Sequence, residues 1–101
     1  MRVVYVSGPY RAPTLEGINN NINNARIAAI SLWKQGYAVI APHLNTAHFD
    51  GVVSDAAFLT GDAEILSRCD AVYMLRGWEN SIGARAEHDL ANELGLEIVY
   101  E

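Results

Sequence analysis

Four short apolar runs, separated by stretches with helical spacing, constrain this chain more than anything else in it. They are Arg2 to Val6, Tyr37 to Ile40, Asp70 to Leu75 and Leu96 to Tyr100. Each is rich in β-branched or aromatic residues and reads as a buried strand. Strands alternating with helices mean βαβ units and a parallel sheet. Right-handed crossovers then favour the strand order 2-1-3-4, a flavodoxin-like, Rossmann-like three-layer α/β sandwich of about four strands. The 101 residues suffice for one such domain, spanning 1–101, and are too few for two. In that topology the sheet reverses its winding between strands 1 and 3, and ligands bind beyond the strand tips there.

The segments between the strands carry their own signals. Ile18, Ile22, Ala25, Ala29 and Trp33 keep helical spacing, so a first helix is expected from about Asn19 to Gln35, stopped by Gly36. The five asparagines between Asn19 and Asn24 read as its frayed start. Pro42 to Gly51 reads as a long polar and aromatic loop. Ser54 is placed to cap the next helix, with Asp55 in its first turn. The apolar face of that helix holds Phe58, Leu59, Ile65, Leu66 and Cys69, and Asp62 falls on the same face. A break at Gly61-Asp62 is the structural alternative for that acid. The last helix is expected from Ser81 to Leu94, closed by Gly95. Its apolar stripe is Gly83, Ala86, Leu90, Ala91 and Leu94, its polar one Arg85, His88, Asp89 and Asn92. Glu87 lies on the apolar side, where a carboxylate is costly unless something uses it.

Glu87 and Asp62 are therefore the candidate catalytic pair. An oxocarbenium-like centre needs a carboxylate close by, and a second acid can protonate the departing group. The first loop, Ser7-Gly8-Pro9-Tyr10-Arg11, sits at the carboxyl end of the first strand and is expected to form one wall of the site. The Tyr10 hydroxyl and the Arg11 guanidinium are its polar contacts. His43 and Asn45 are candidates from the 42–51 loop, and Phe49 reads either as a ring that stacks on a flat ligand or as a core plug. Ser81 and Gly83 open the last helix, whose free N–H groups suit an anion.

Other chemistries are excluded. His43, His48 and Asp50 match no recognised ligand spacing, so no metal is expected, nor any cofactor. There is no Walker loop, no Gly-x-Gly-x-x-Gly and no Gly-x-Ser-x-Gly elbow. The single cysteine, Cys69, precludes an intramolecular disulfide. A net charge of −5, with seven basic residues scattered along the chain, argues against a nucleic-acid polymer as partner. No segment has the length of a membrane span and no secretory leader is present, so a cytoplasmic setting is expected.

These residues resemble a known family. Ser7-Gly8-Pro9-Tyr10, Asp62 upstream of Cys69-Asp70-Ala71, and Ser81-x-Gly83-x-x-x-Glu87 together resemble the nucleoside 2-deoxyribosyltransferase superfamily, which includes the 2′-deoxynucleoside 5′-monophosphate N-hydrolases. Gly77-Trp78-Glu79-x-Ser81-x-Gly83-Ala84-x-x-Glu87 is similar to DUF4406, a mostly phage and bacterial subfamily of unknown function. The resemblance implies a flavodoxin-like fold, with Glu87 as the nucleophile that attacks the anomeric carbon of a deoxyribose. It implies Asp62 as the acid that helps the base leave. Tyr10 becomes a loop tyrosine touching sugar and carboxylates, and Ser81 the residue meeting a 5′-phosphate. It also implies a homo-oligomer, for which Trp33 and Trp78 are candidate contacts. The first loop lacks the glycine-rich segment of the monophosphate hydrolases. The chain ends right after its last expected strand, where the transferases carry a further segment, which argues against base exchange. The expected function is cleavage or transfer of the N-glycosidic bond of a nucleoside or its 5′-monophosphate. The alternative is a nucleotide-binding domain without catalysis.

Overall fold

The computed structural model describes residues 1–101. In chain order the elements are β1 (Val3–Ser7), α1 (Leu15–Lys34), β2 (Ala38–Ile40), α2 (Pro42–Asn45), α3 (Asp55–Ser67), β3 (Ala71–Met74), α4 (Ile82–Glu93) and β4 (Glu97–Tyr100). A 3-10 turn, Trp78–Asn80, leads from β3 into α4. The four strands form one parallel sheet in the order β2-β1-β3-β4, as the sequence predicts. No helix is long and apolar enough to cross a membrane.

Period-two alternation along β1 divides the interior into two cores. Val4 and Val6 face α1, where Ala25, Ala28, Ala29 and Leu32 pack on them with Ala71 and Leu75. Tyr5 points the other way, into a core with Leu66, Cys69, Val72, Met74, Ala84 and Ala91. α3 and α4 therefore share one face of the sheet and α1 holds the other. Every side chain that β1 sends from odd-numbered positions meets the α3–α4 layer.

Several local expectations are corrected. α1 starts at Leu15 rather than near Asn19, because the Thr14 hydroxyl accepts from Gly17 N at 3.0 Å and caps the helix there. The asparagines thus lie inside the helix instead of fraying its start. The 42–51 stretch is not all loop: Pro42 opens the short helix α2. α3 runs through Gly61 and Asp62 without a break. On α4 the buried positions are Ala84 and Ala91, with Ala86 and Leu94 exposed and His88 half-buried. The cause is Trp78, whose ring stacks on His88 at 4.3 Å between centroids, while His88 Nε2 lies 2.7 Å from the Tyr100 hydroxyl. A histidine between two aromatic rings is covered even on a polar stripe.

The tips of β1 and β3 are pressed together at Gly8. Leu75 N donates to Ser7 O at 2.8 Å. A Cβ added at Gly8 would lie 2.7 Å from Leu75 Cβ and 2.8 Å from its Cδ1. Backbone-anchored atoms cannot swing aside, so the strands would have to part. Gly8→Ala is expected to cost about 1–3 kcal/mol of stability, read from equilibrium urea unfolding. Adding Leu75→Ala should recover only part of the loss, because the Leu75 Cβ remains.

Candidate active site

Glu87 is the centre of the site. It stands one helical turn past Gly83 on α4 and reaches across to β1. Ser7 Oγ donates to Glu87 Oε1 at 2.7 Å. The Tyr5 hydroxyl donates to the other oxygen, Oε2, in a short hydrogen bond. Both donors are fully buried and come from alternate positions of one strand. They hold the carboxylate plane by both ends, just below the tips of the parallel strands. Glu87 itself is half-buried.

The electrostatics follow from burial. Loss of water pushes the Glu87 carboxyl above its usual range, the Tyr5 and Ser7 hydrogen bonds pull it back, and the negative charge of Asp62 adds to the rise. Tyr5 is driven far above the ordinary phenol value, first by burial, then by the charge and hydrogen bond of Glu87 and by the charge of Asp62. It is therefore a permanent donor. Asp62, on α3, is also raised, by burial alone, and makes no hydrogen bond. The two acids come from separate helices, and the field of Asp62 reaches both Glu87 and Tyr5.

The remaining candidates divide. Ser7 is on Glu87. Gly8 provides the close approach to Leu75, and the Pro9 carbonyl is held by His43 Nε2 at 2.8 Å. His43 is buried and its proton affinity is lowered by desolvation, so it is neutral and donates from Nε2. Its role is inside the protein, under the first loop. Arg11 is exposed and pairs with Asp55 at 2.8 Å. Asn45 is exposed at the end of α2. Ser81 caps α4, its hydroxyl accepting from Ala84 N at 3.2 Å. Gly83 faces Leu59 of α3, whose Cδ2 would stand 4.0 Å from an added Cβ.

Tyr10 hydrogen-bonds neither Glu87 nor Asp62. Its hydroxyl donates to Asp50 Oδ1 at 3.4 Å and accepts from His48 N at 3.3 Å. The tyrosine that reaches the carboxylate is Tyr5, which sequence reasoning took for a core residue. A signal was present: Tyr5 and Ser7 share strand parity, so any partner of Ser7 on the α4 side meets Tyr5 as well.

Comparison with known proteins adds the following. The family profile for the domain of unknown function DUF4406 matches residues 2–100. No curated protein matches. Among solved structures, a 2-desoxiribosyltransferase from Leishmania mexicana superposes with a TM-score of 0.66 at 16% identity, covering 99% of this chain and 63% of that one. This chain thus spans under two thirds of that protein's length. At such identity the likeness establishes a shared fold.

Glu87→Gln leaves a side chain that can still bond both Tyr5 and Ser7 but carries no charge. Because the folded protein raises the Glu87 pKa, the protonated form costs nothing at low pH. Ionisation removes stability as pH rises through the raised value. The melting temperature of Glu87→Gln minus that of the parent is expected to grow from pH 4 to pH 8, by on the order of 5 °C. His43 titrates in both proteins and cancels from the difference. A difference that does not change with pH would contradict the account.

Proposed function

The chain belongs to the DUF4406 family, and we propose that it cleaves or transfers the N-glycosidic bond of a deoxynucleoside or its 5′-monophosphate, with Glu87 as nucleophile. The observation that carries this reading is the Glu87 carboxylate, half-buried at the strand tips with both oxygens oriented by buried hydroxyls. A carboxylate that must meet a developing cation gains from being held in a fixed plane beforehand.

In the proposed reaction a Glu87 oxygen bonds to the anomeric carbon as the carbon–nitrogen bond breaks. The electron pair leaves with the base, which takes a proton from Asp62. Raised by burial, Asp62 is suited to arrive protonated. Water, or a second base, then attacks the same carbon and releases Glu87, returning a proton to Asp62. Tyr5 stays neutral throughout and keeps the carboxylate in register. The fold of the 2-desoxiribosyltransferase supports the reading by placing this chain in a matching framework. A homo-oligomer, with Trp33 at 55% exposure available on α1, belongs to the same proposal.

The test is release of free base, followed by chromatography, from a panel of canonical and modified 2′-deoxynucleosides and their 5′-monophosphates. Glu87→Gln is expected to lower the rate by about 10³-fold or more. Asp62→Asn is expected to lower it by about 10²–10⁴-fold. Tight nucleotide binding with no base released from any member of the panel would overturn catalysis and leave a binding domain.

A further inference from the structure

We propose that Leu59 and Gly83 form the threshold of the acid pair: a sugar reaches Glu87 by passing between them, and the bare Gly83 leaves it room. This rests on the glycosidic reading above, and concerns access to the two acids rather than the bond they break. The observation is one contact between two helices. A Cβ added at Gly83 would stand 4.0 Å from Leu59 Cδ2, and within 4 Å it would meet no other element.

That pair lies one helical turn above the acids on both helices. Leu59 precedes Asp62 on α3 at the i, i+3 spacing, and Gly83 precedes Glu87 on α4 at the i, i+4 spacing. Helical side chains lean toward the N-terminus, so Asp62 and Glu87 both reach back toward the pair. The two helices run the same way, because α3 leads into β3, α4 leads into β4, and those strands are parallel. Their N-termini therefore stand at the strand tips, the end from which ligands enter such a sheet.

Burial grades along the same two stripes. At the inner end Leu66 and Ala91 are fully buried. One turn nearer the tips, Asp62 and Glu87 are half-buried. One turn further, Gly83 is half-buried and Leu59 is 59% exposed. The seam between α3 and α4 is thus closed below the acids and opens above them. Tyr5 and Ser7 of β1 occupy the sheet side of Glu87, so an approach along the seam crosses the Leu59–Gly83 pair.

Neither backbone nor packing requires a glycine at 83. Its φ is not left-handed, and an added methyl would make ordinary van der Waals contact. Alanine is the better helix former. What the glycine supplies is space, and that space lies on the side toward which Glu87 leans.

The experiment compares Gly83→Ala, Leu59→Ala and the double variant. It uses the deoxynucleoside of the panel that releases base fastest or, if none does, the one that binds tightest. Base release gives kcat/KM, and stopped-flow fluorescence gives the association rate in the Glu87→Gln background. Gly83→Ala should raise the melting temperature by about 2–4 °C while lowering kcat/KM and the association rate about tenfold. Leu59→Ala should keep both rates within about threefold of the parent or raise them. The double variant should return to within about threefold of Leu59→Ala, because the added methyl then has no side chain opposite it. Unchanged rates in Gly83→Ala would overturn the proposal. So would a loss that persists in the double variant, or one accompanied by a lower melting temperature, which would mark a structural glycine. If the parent binds nucleoside but releases no base, the glycosidic reading fails and the threshold is judged on association rates alone. If the parent binds no nucleoside, both fall.

Discussion

The structure turns on one carboxylate held by two hydroxyls from a single strand. Burying the Glu87 charge beside Tyr5 and Ser7 is tolerable only because each oxygen finds a donor, and both donors are fixed by the β1 pleat. That requirement propagates outward. β1 must lie at the centre of the sheet, so that its odd positions meet a helix layer. α4 must cross that layer with Glu87 facing back toward β1. Small residues make this possible, because Ala84 and Ala91 let the helix sit close to the strands. The opposite flank of α4 is closed by Trp78, His88 and Tyr100, which lock the helix against β4 and so prevent it from rolling Glu87 out of reach.

Much of this was legible in the residues, and the reason is that the strong signals are periodic. Short β-branched runs alternating with 3.6-period segments specify parallel strands, and right-handed crossovers leave little choice of order. A carboxylate on an apolar helix stripe is conspicuous for the same reason, which is how Glu87 stood out. The failures are of another kind. Tyr5 looks like core because it is core: 0% exposed, with only its hydroxyl doing polar work. Its role depends on what α4 brings opposite, which no local pattern encodes. α1 starts earlier than its apolar spacing predicts because a lone Thr14 cap outweighs a conspicuous run of asparagines. His88 falls on the polar stripe by spacing yet is half-buried, because its cover, Trp78 and Tyr100, comes from outside the helix.

The first loop illustrates how a short connection becomes rigid without regular structure. Gly8 is held by contact with Leu75, Pro9 by the neutral His43, and Tyr10 by Asn21 and by the 48–50 segment. Each tie comes from a different element, so the loop integrates the positions of α1, α2 and β3 at the point where the sheet changes winding. His43, a candidate from the 42–51 stretch, holds the Pro9 carbonyl of this loop from α2.

The two acids differ in one respect that bears on their division of labour. Burial raises both, but Glu87 has two hydroxyl donors that stabilise its ionised form, whereas Asp62 has none. Hydrogen bonds to a charged group favour that charge, so the two donors oppose the effect of burial at Glu87 and nothing opposes it at Asp62. In the proposed reaction that asymmetry suits Asp62 to give up the proton and Glu87 to carry the negative charge.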